Sequence, residues 1–117
     1  MKLEGERVLL RLFLDSFQKW RFRPLFEVIV DHARQCGLAG ATVLRGLEGF
    51  GMSGVILQER RWALANDHEL VVEIIDTREK IDAFLAGIEP MLQNVIVTTE
   101  RARVVLYRGE PQKGSPQ

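Results

Sequence analysis

The chain has a single cysteine, Cys36, in 117 residues, so no internal disulfide can staple it. Its two histidines, His32 and His68, stand apart from any cluster with metal-ligand spacing, and both read as solvated surface. No charge of either sign is in excess: 16 basic side chains face 16 acidic ones. Strong binding to a phosphate backbone leaves a basic surplus on a chain, so nucleic acid is not an expected partner. No apolar run approaches the length of a membrane span. The N-terminal MKLEGERVLLRLFLDS is interrupted by Arg11 and lacks a small-residue cleavage site, so it reads as a strand and not a leader. These absences predict a cytoplasmic protein with no metal, no required cofactor and no membrane insertion.

What is present is an ordinary globular composition, 46% apolar and 27% charged. That is enough for one hydrophobic core and too short for a two-lobed cofactor enzyme. A single domain over residues 1–108 is expected, with 109–117 as a disordered tail.

The order of elements follows from periodicity. ERVLLRLFL (Glu6–Leu14) reads as a strand and DSFQKWRFR as a polar connection. Pro24 sits where a first helical residue is favoured, and Phe26, Ile29, Val30, Ala33 and Cys36 then recur at helical spacing, with Gly37 as the stop. ATVLRG is a second strand and VILQERRWAL is extended. LVVEIID is a further strand. Asp76 and Glu79 have the spacing of a capping box before a helix carrying Ile81, Phe84, Leu85 and Ile88, which Pro90 ends. NVIVTTERARVVLY supplies the last strand. This split βαβ order predicts an α+β ferredoxin-like βαββαβ sandwich, a four-stranded antiparallel sheet with two helices on one face.

The other face of that sheet carries a second prediction. Leu9, Arg11 and Phe13 share one side of the first strand, and Val71, Glu73 and Ile75 share the same side of its neighbour. A face open to water would alternate more cleanly. These six residues are therefore expected to form a subunit seam, with Arg11 paired to Glu73, because lone charges in a covered seam would be costly. Cys36, on the apolar stripe, is expected to be buried. Trp20 and Trp62 are expected at a subunit junction, and Lys19, Arg21 and Arg23 in a solvated connection.

Gly40–Gly54, GATVLRGLEGFGMSG, holds five glycines in fifteen residues. A P-loop is excluded, since no Gly-Lys-Ser/Thr opens a helix. GFGMSG fits G-x-G-x-x-G, but VILQERRW follows it where the dinucleotide motif needs a helix, so that match is accidental. Two readings stay open at this point: a loop whose backbone amides approach an anionic ligand, helped by Arg45, or a plain hinge.

The runs GLAGATVLRGLEGFGMSG, LVVEIIDTREKI and KWRFRPLFEVIV resemble a prokaryotic family of PII-like proteins known as a domain of unknown function, from Leu3 to about Tyr107. TVLRGLEGFG also looks like the strand and loop base of nitrogen-regulatory PII signalling proteins. The resemblance implies a homotrimer with an adenine-nucleotide site in the clefts between subunits. It implies ligand-binding roles for Thr42, Arg45, Gly46, Gly49, Phe50 and Gly51, and for Arg101, Arg103 and Arg108 reaching from a neighbouring subunit. The segment Gly49–Leu64 would meet a protein partner. Two departures stand out. Glu48 and Met52 flank Gly-Phe-Gly where PII proteins carry a basic residue, and Gly54–Leu64 is shorter than a full T-loop.

The resemblance makes a signalling or adaptor protein the expected function, not an enzyme. The alternatives are a structural accessory of a membrane transporter with no small-molecule ligand, or a small phosphatase-type enzyme. An RNA-reading sheet is disfavoured, because the open-face positions lack paired stacking aromatics.

Overall fold

The computed structural model describes residues 3–45 and 69–108. Its elements are β1 (Gly5–Asp15), β2 (Lys19–Trp20), β3 (Arg23–Pro24), α1 (Leu25–Gln35), β4 (Thr42–Arg45), β5 (Glu69–Asp76), α2 (Arg78–Ile88) and β6 (Ile96–Val104), with a 3-10 turn at Glu89–Met91 after α2. The four long strands form one antiparallel sheet in the order β4-β5-β1-β6. The first and third of these strands in chain order, β1 and β5, therefore meet in the centre, which defines the expected ferredoxin-like α+β sandwich.

Strict alternation builds the core. Val8, Leu10, Leu12 and Leu14 on β1 and Leu70, Val72 and Ile74 on β5 point at the helices and are buried. α1 meets them with Leu25, Ile29 and Ala33, and α2 with Ile81, Phe84 and Ile88. Phe26 and Val30 pack only partly against this core, so the buried stripe of α1 starts at Leu25 and runs at four-residue steps. That phase turns Cys36 outward. It is exposed, contrary to the expected burial.

Three further local features differ from expectation: the ribbon before α1, the surroundings of His32 and the cap of α2. The connection before α1 contains a two-stranded ribbon, with Lys19 opposite Pro24 and Trp20 opposite Arg23. Trp20 is half-buried against the chain's own core. His32 is also half-buried: its ring lies 5.7 Å from that of Phe84, and a Cβ added at Gly87 would stand 2.6 Å from its Nε2. Thr77, not Asp76, caps α2, its hydroxyl accepting the Lys80 N–H at 3.3 Å. α2 ends at Ile88, with Pro90 in the 3-10 turn, where a missing N–H breaks the ladder.

Candidate functional site: the β4 edge and the open sheet face

The route into the glycine-rich segment is fixed from three sides. Gly37 adopts φ +73°, which a side chain at that helix end would resist, and donates its N–H to Arg34 O at 3.1 Å. The buried Asp76 carboxylate accepts the Ala39 N–H at 2.8 Å on Oδ2 and the Thr77 N–H at 2.7 Å on Oδ1. Lys80 Nζ donates to Gly37 O at 3.2 Å. The end of β5 and the start of α2 thus pin Gly37–Ala39 before the chain enters β4. Asp76 therefore belongs to this tie and not to the helix cap that its spacing to Glu79 predicts.

β4 is an edge strand, and all four of its residues are exposed. Its register with β5 sets Thr42 opposite Glu73, on the open face, and Arg45 opposite Leu70, on the helix face. A shallow cleft of about 230 Å³ opens beside Thr42 on the open face, where Gly40 and Ala39 meet Leu9, Glu73 and Ile75. Gly46, Gly49, Phe50, Gly51 and the Gly49–Leu64 segment lie outside the described residues.

Arg101 and Arg103 are exposed on β6, the opposite edge, opposite Val8 and Glu6. Arg45 stands level with Leu14 through Leu70, so six residues of β1 separate the two rows. At about 3.3 Å per residue that is roughly 20 Å along the strand, with the width of the sheet added. Arg108, also exposed, lies beyond the end of β6. Within one chain the sheet therefore does not bring Arg45 and the C-terminal arginines to one ligand.

The open face is ordered in rows. Leu44, Val71, Phe13 and Ile96 lie side by side across the four strands, an apolar bar at the end where the glycine-rich segment leaves the sheet. Leu44 and Ile96 are 46% and 44% exposed, high for large apolar side chains on a sheet. The next row is Thr42, Glu73, Arg11 and Thr98. Here Arg11 Nε donates to Glu73 Oε2 at 2.8 Å, the pairing expected from sequence, and its Nη1 donates to Glu100 Oε1 at 2.5 Å. Sequence reasoning missed Glu100, because its register against Leu9 depends on how far β6 slides along β1. The hydrogen bonds to Glu73 and Glu100 hold the guanidinium more firmly protonated than usual.

The sheet order, the two helices on one face and the open opposite face define a PII-like ferredoxin fold. Residues 7–104 match the model of the DUF190 family, described as "Uncharacterized ACR, COG1993", and the chain belongs to that family. A UPF0166 protein of Aquifex aeolicus (strain VF5) is 33% identical over 100 residues, covering 86% of this chain and 94% of the relative. The UPF0166 protein MJ1524 of Methanocaldococcus jannaschii is 25% identical over 104 residues, covering 87% and 93%. Among solved structures, the chain is similar to CPII of Thiomonas intermedia K12, a nitrogen regulatory PII-like protein bound to ADP, AMP and bicarbonate. The TM-score is 0.63 at 17% identity, over 85% of this chain and 94% of that one. A second structure of CPII, bound to ADP and bicarbonate, matches at the same TM-score with 20% identity, over 85% and 88%.

Proposed function

We propose that the protein is a PII-like sensor or adaptor that assembles as a homotrimer through the open sheet face. It binds an adenine nucleotide, or a small anion of that kind, in the clefts between subunits, presents the Gly49–Leu64 segment to a protein partner, and acts in the cytoplasm without catalysis. The observation that carries this reading is the open face itself: an apolar bar across the four strands beside a row in which Arg11 and Glu73 of the central strands pair. Such a face is stabilised by cover, and copies of the same chain supply it by symmetry. The separation of Arg45 from Arg101 and Arg103 fits the same scheme, since residues distant within one chain can meet across a subunit boundary. The likeness to CPII, a protein bound to ADP and AMP, supports the choice of ligand class.

The test is thermal melting of the full chain against ADP, AMP, ATP, cyclic nucleotides and bicarbonate. A ligand that binds only the native state stabilises it by about 2.7 kcal/mol at a hundred times its Kd. A rise in Tm with one adenine nucleotide, lost in Arg45→Ala, supports the reading. No rise with any of them counts against a nucleotide sensor and favours the hinge reading of the glycines.

A further inference from the structure

The ribbon between β1 and α1 has a tip that its sequence does not favour. Trp20 pairs with Arg23, so Arg21 and Phe22 alone make the turn, at φ +50° and +73°. Two consecutive left-handed residues are the signature of a primed hairpin turn, which asparagine and glycine enter easily and a bulky side chain does not. Phe22 nevertheless occupies the second position and is 97% exposed. A strained backbone holding an aromatic ring in water costs stability twice, and such outliers persist where they serve an interaction.

The ribbon is also well supported. Leu25 N–H donates to Gln18 O at 2.8 Å, Gln18 Nε2 donates to Gln93 O at 3.0 Å, and Trp20 packs on the core. The Arg21 guanidinium lies 5.1 Å from the centre of the Trp20 ring. Arg23 is committed to Asp31 at 2.6 Å, but among the described residues neither Lys19 nor Arg21 has a carboxylate partner. The ribbon therefore presents one exposed apolar ring at its tip, with the cations Lys19 and Arg21 on the strand and turn that lead to it.

We propose that this hairpin tip is a peripheral contact for an anionic membrane surface. The tip is convex, so a protein partner would need a matching pocket, whereas a headgroup layer needs none. It takes the ring at its apolar boundary and the two cations at its phosphates. The chain is neutral as a whole, so net charge supplies no such attraction. No helix among the described residues is long and apolar enough to cross a membrane, and the contact is with the surface only.

The experiment is co-sedimentation of the full chain with phosphatidylcholine vesicles, with and without about one-third phosphatidylglycerol, at low and high salt. Binding is expected to the anionic vesicles only and to fall with salt. Phe22→Gly should lower the affinity roughly tenfold, the loss of one well-buried ring. The same substitution should raise Tm, because glycine accepts the positive φ, so lost binding cannot be ascribed to misfolding. Lys19→Ser with Arg21→Ser should remove the salt dependence. The proposal is overturned by equal binding to neutral and anionic vesicles, by no binding at all, or by Phe22→Gly binding like the parent. It is also overturned if Phe22→Gly changes the mass of the assembly, which would assign the tip to a second copy of the chain. None of these outcomes depends on whether the protein binds a nucleotide.

Discussion

Arg11 on the central strand β1 holds two carboxylates from the strands on either side, Glu73 on β5 at 2.8 Å and Glu100 on β6. One cation thus ties three strands in the middle of the face proposed as the subunit seam. A surface ion pair contributes little, whereas breaking a covered one leaves an uncompensated charge in the seam. Arg11→Met should therefore leave the far-ultraviolet circular dichroism unchanged and reduce the assembly to monomers in light scattering. Arg11→Met with Glu73→Met and Glu100→Met should restore it. A monomeric parent protein at micromolar concentration would remove the basis for the seam.

Asp76→Ala removes the acceptor for the Ala39 N–H from a buried place. A cost of about 1–3 kcal/mol in denaturant unfolding is expected, with faster hydrogen exchange at Ala39. Thr77→Ala removes only the helix cap and should cost about 1 kcal/mol without that exchange signature. Equal exchange at Ala39 in both variants would show that the tie is not made by Asp76.

The contact between α1 and α2 gives a double-mutant test. Alanine at position 87 meets the His32 ring in the native background, so Gly87→Ala should not stabilise the protein. In a His32→Ala background the obstacle is gone, and the same change should stabilise by about 1 kcal/mol through helix propensity. Additive effects would mean that the two helices do not approach closely there.

The hydrogen bond from the Arg23 guanidinium holds the Asp31 carboxyl below its ordinary range against the opposing desolvation, and the charges of Arg23 and then Arg34 act in the same direction as the hydrogen bond. A carboxyl whose folded pKa lies below its unfolded value stabilises the fold above the unfolded value, near 3.8. That contribution fades as pH falls through the folded value. Melting temperatures of the parent and Asp31→Asn should differ modestly at neutral pH and converge in acid, once the pH has fallen below the folded value. A gap that persists in acid would assign the effect to something other than this ion pair.

The sheet was legible because alternation along β1 and β5 separates two faces without ambiguity, and the charges at Arg11 and Glu73 fall level with each other. The β2–β3 ribbon was not, because its strands are two residues long and its turn is Arg-Phe, without the glycine or asparagine that announces a hairpin. Cys36 was misplaced for a related reason: the periodic stripe could be drawn through Phe26 or through Leu25, and only packing against the sheet selects Leu25. Asp76 and Thr77 are both good capping residues, and tertiary structure decided between them by giving Asp76 the Ala39 N–H. Of the candidate ligand residues, Thr42 and Arg45 take places at the entry to the glycine-rich segment, on opposite faces of the sheet, and the C-terminal arginines stand at the far edge. Periodicity within one chain cannot reveal a site that would be completed by another.

The measurement that bears most directly on the proposed function is isothermal titration calorimetry of the assembled protein with ADP, in parallel with Arg45→Ala and Arg101→Ala. Saturable binding of one ADP per chain, weakened in both variants although the two arginines lie far apart within a chain, is the predicted result. No heat of binding, or binding that neither variant weakens, would contradict a nucleotide site between subunits.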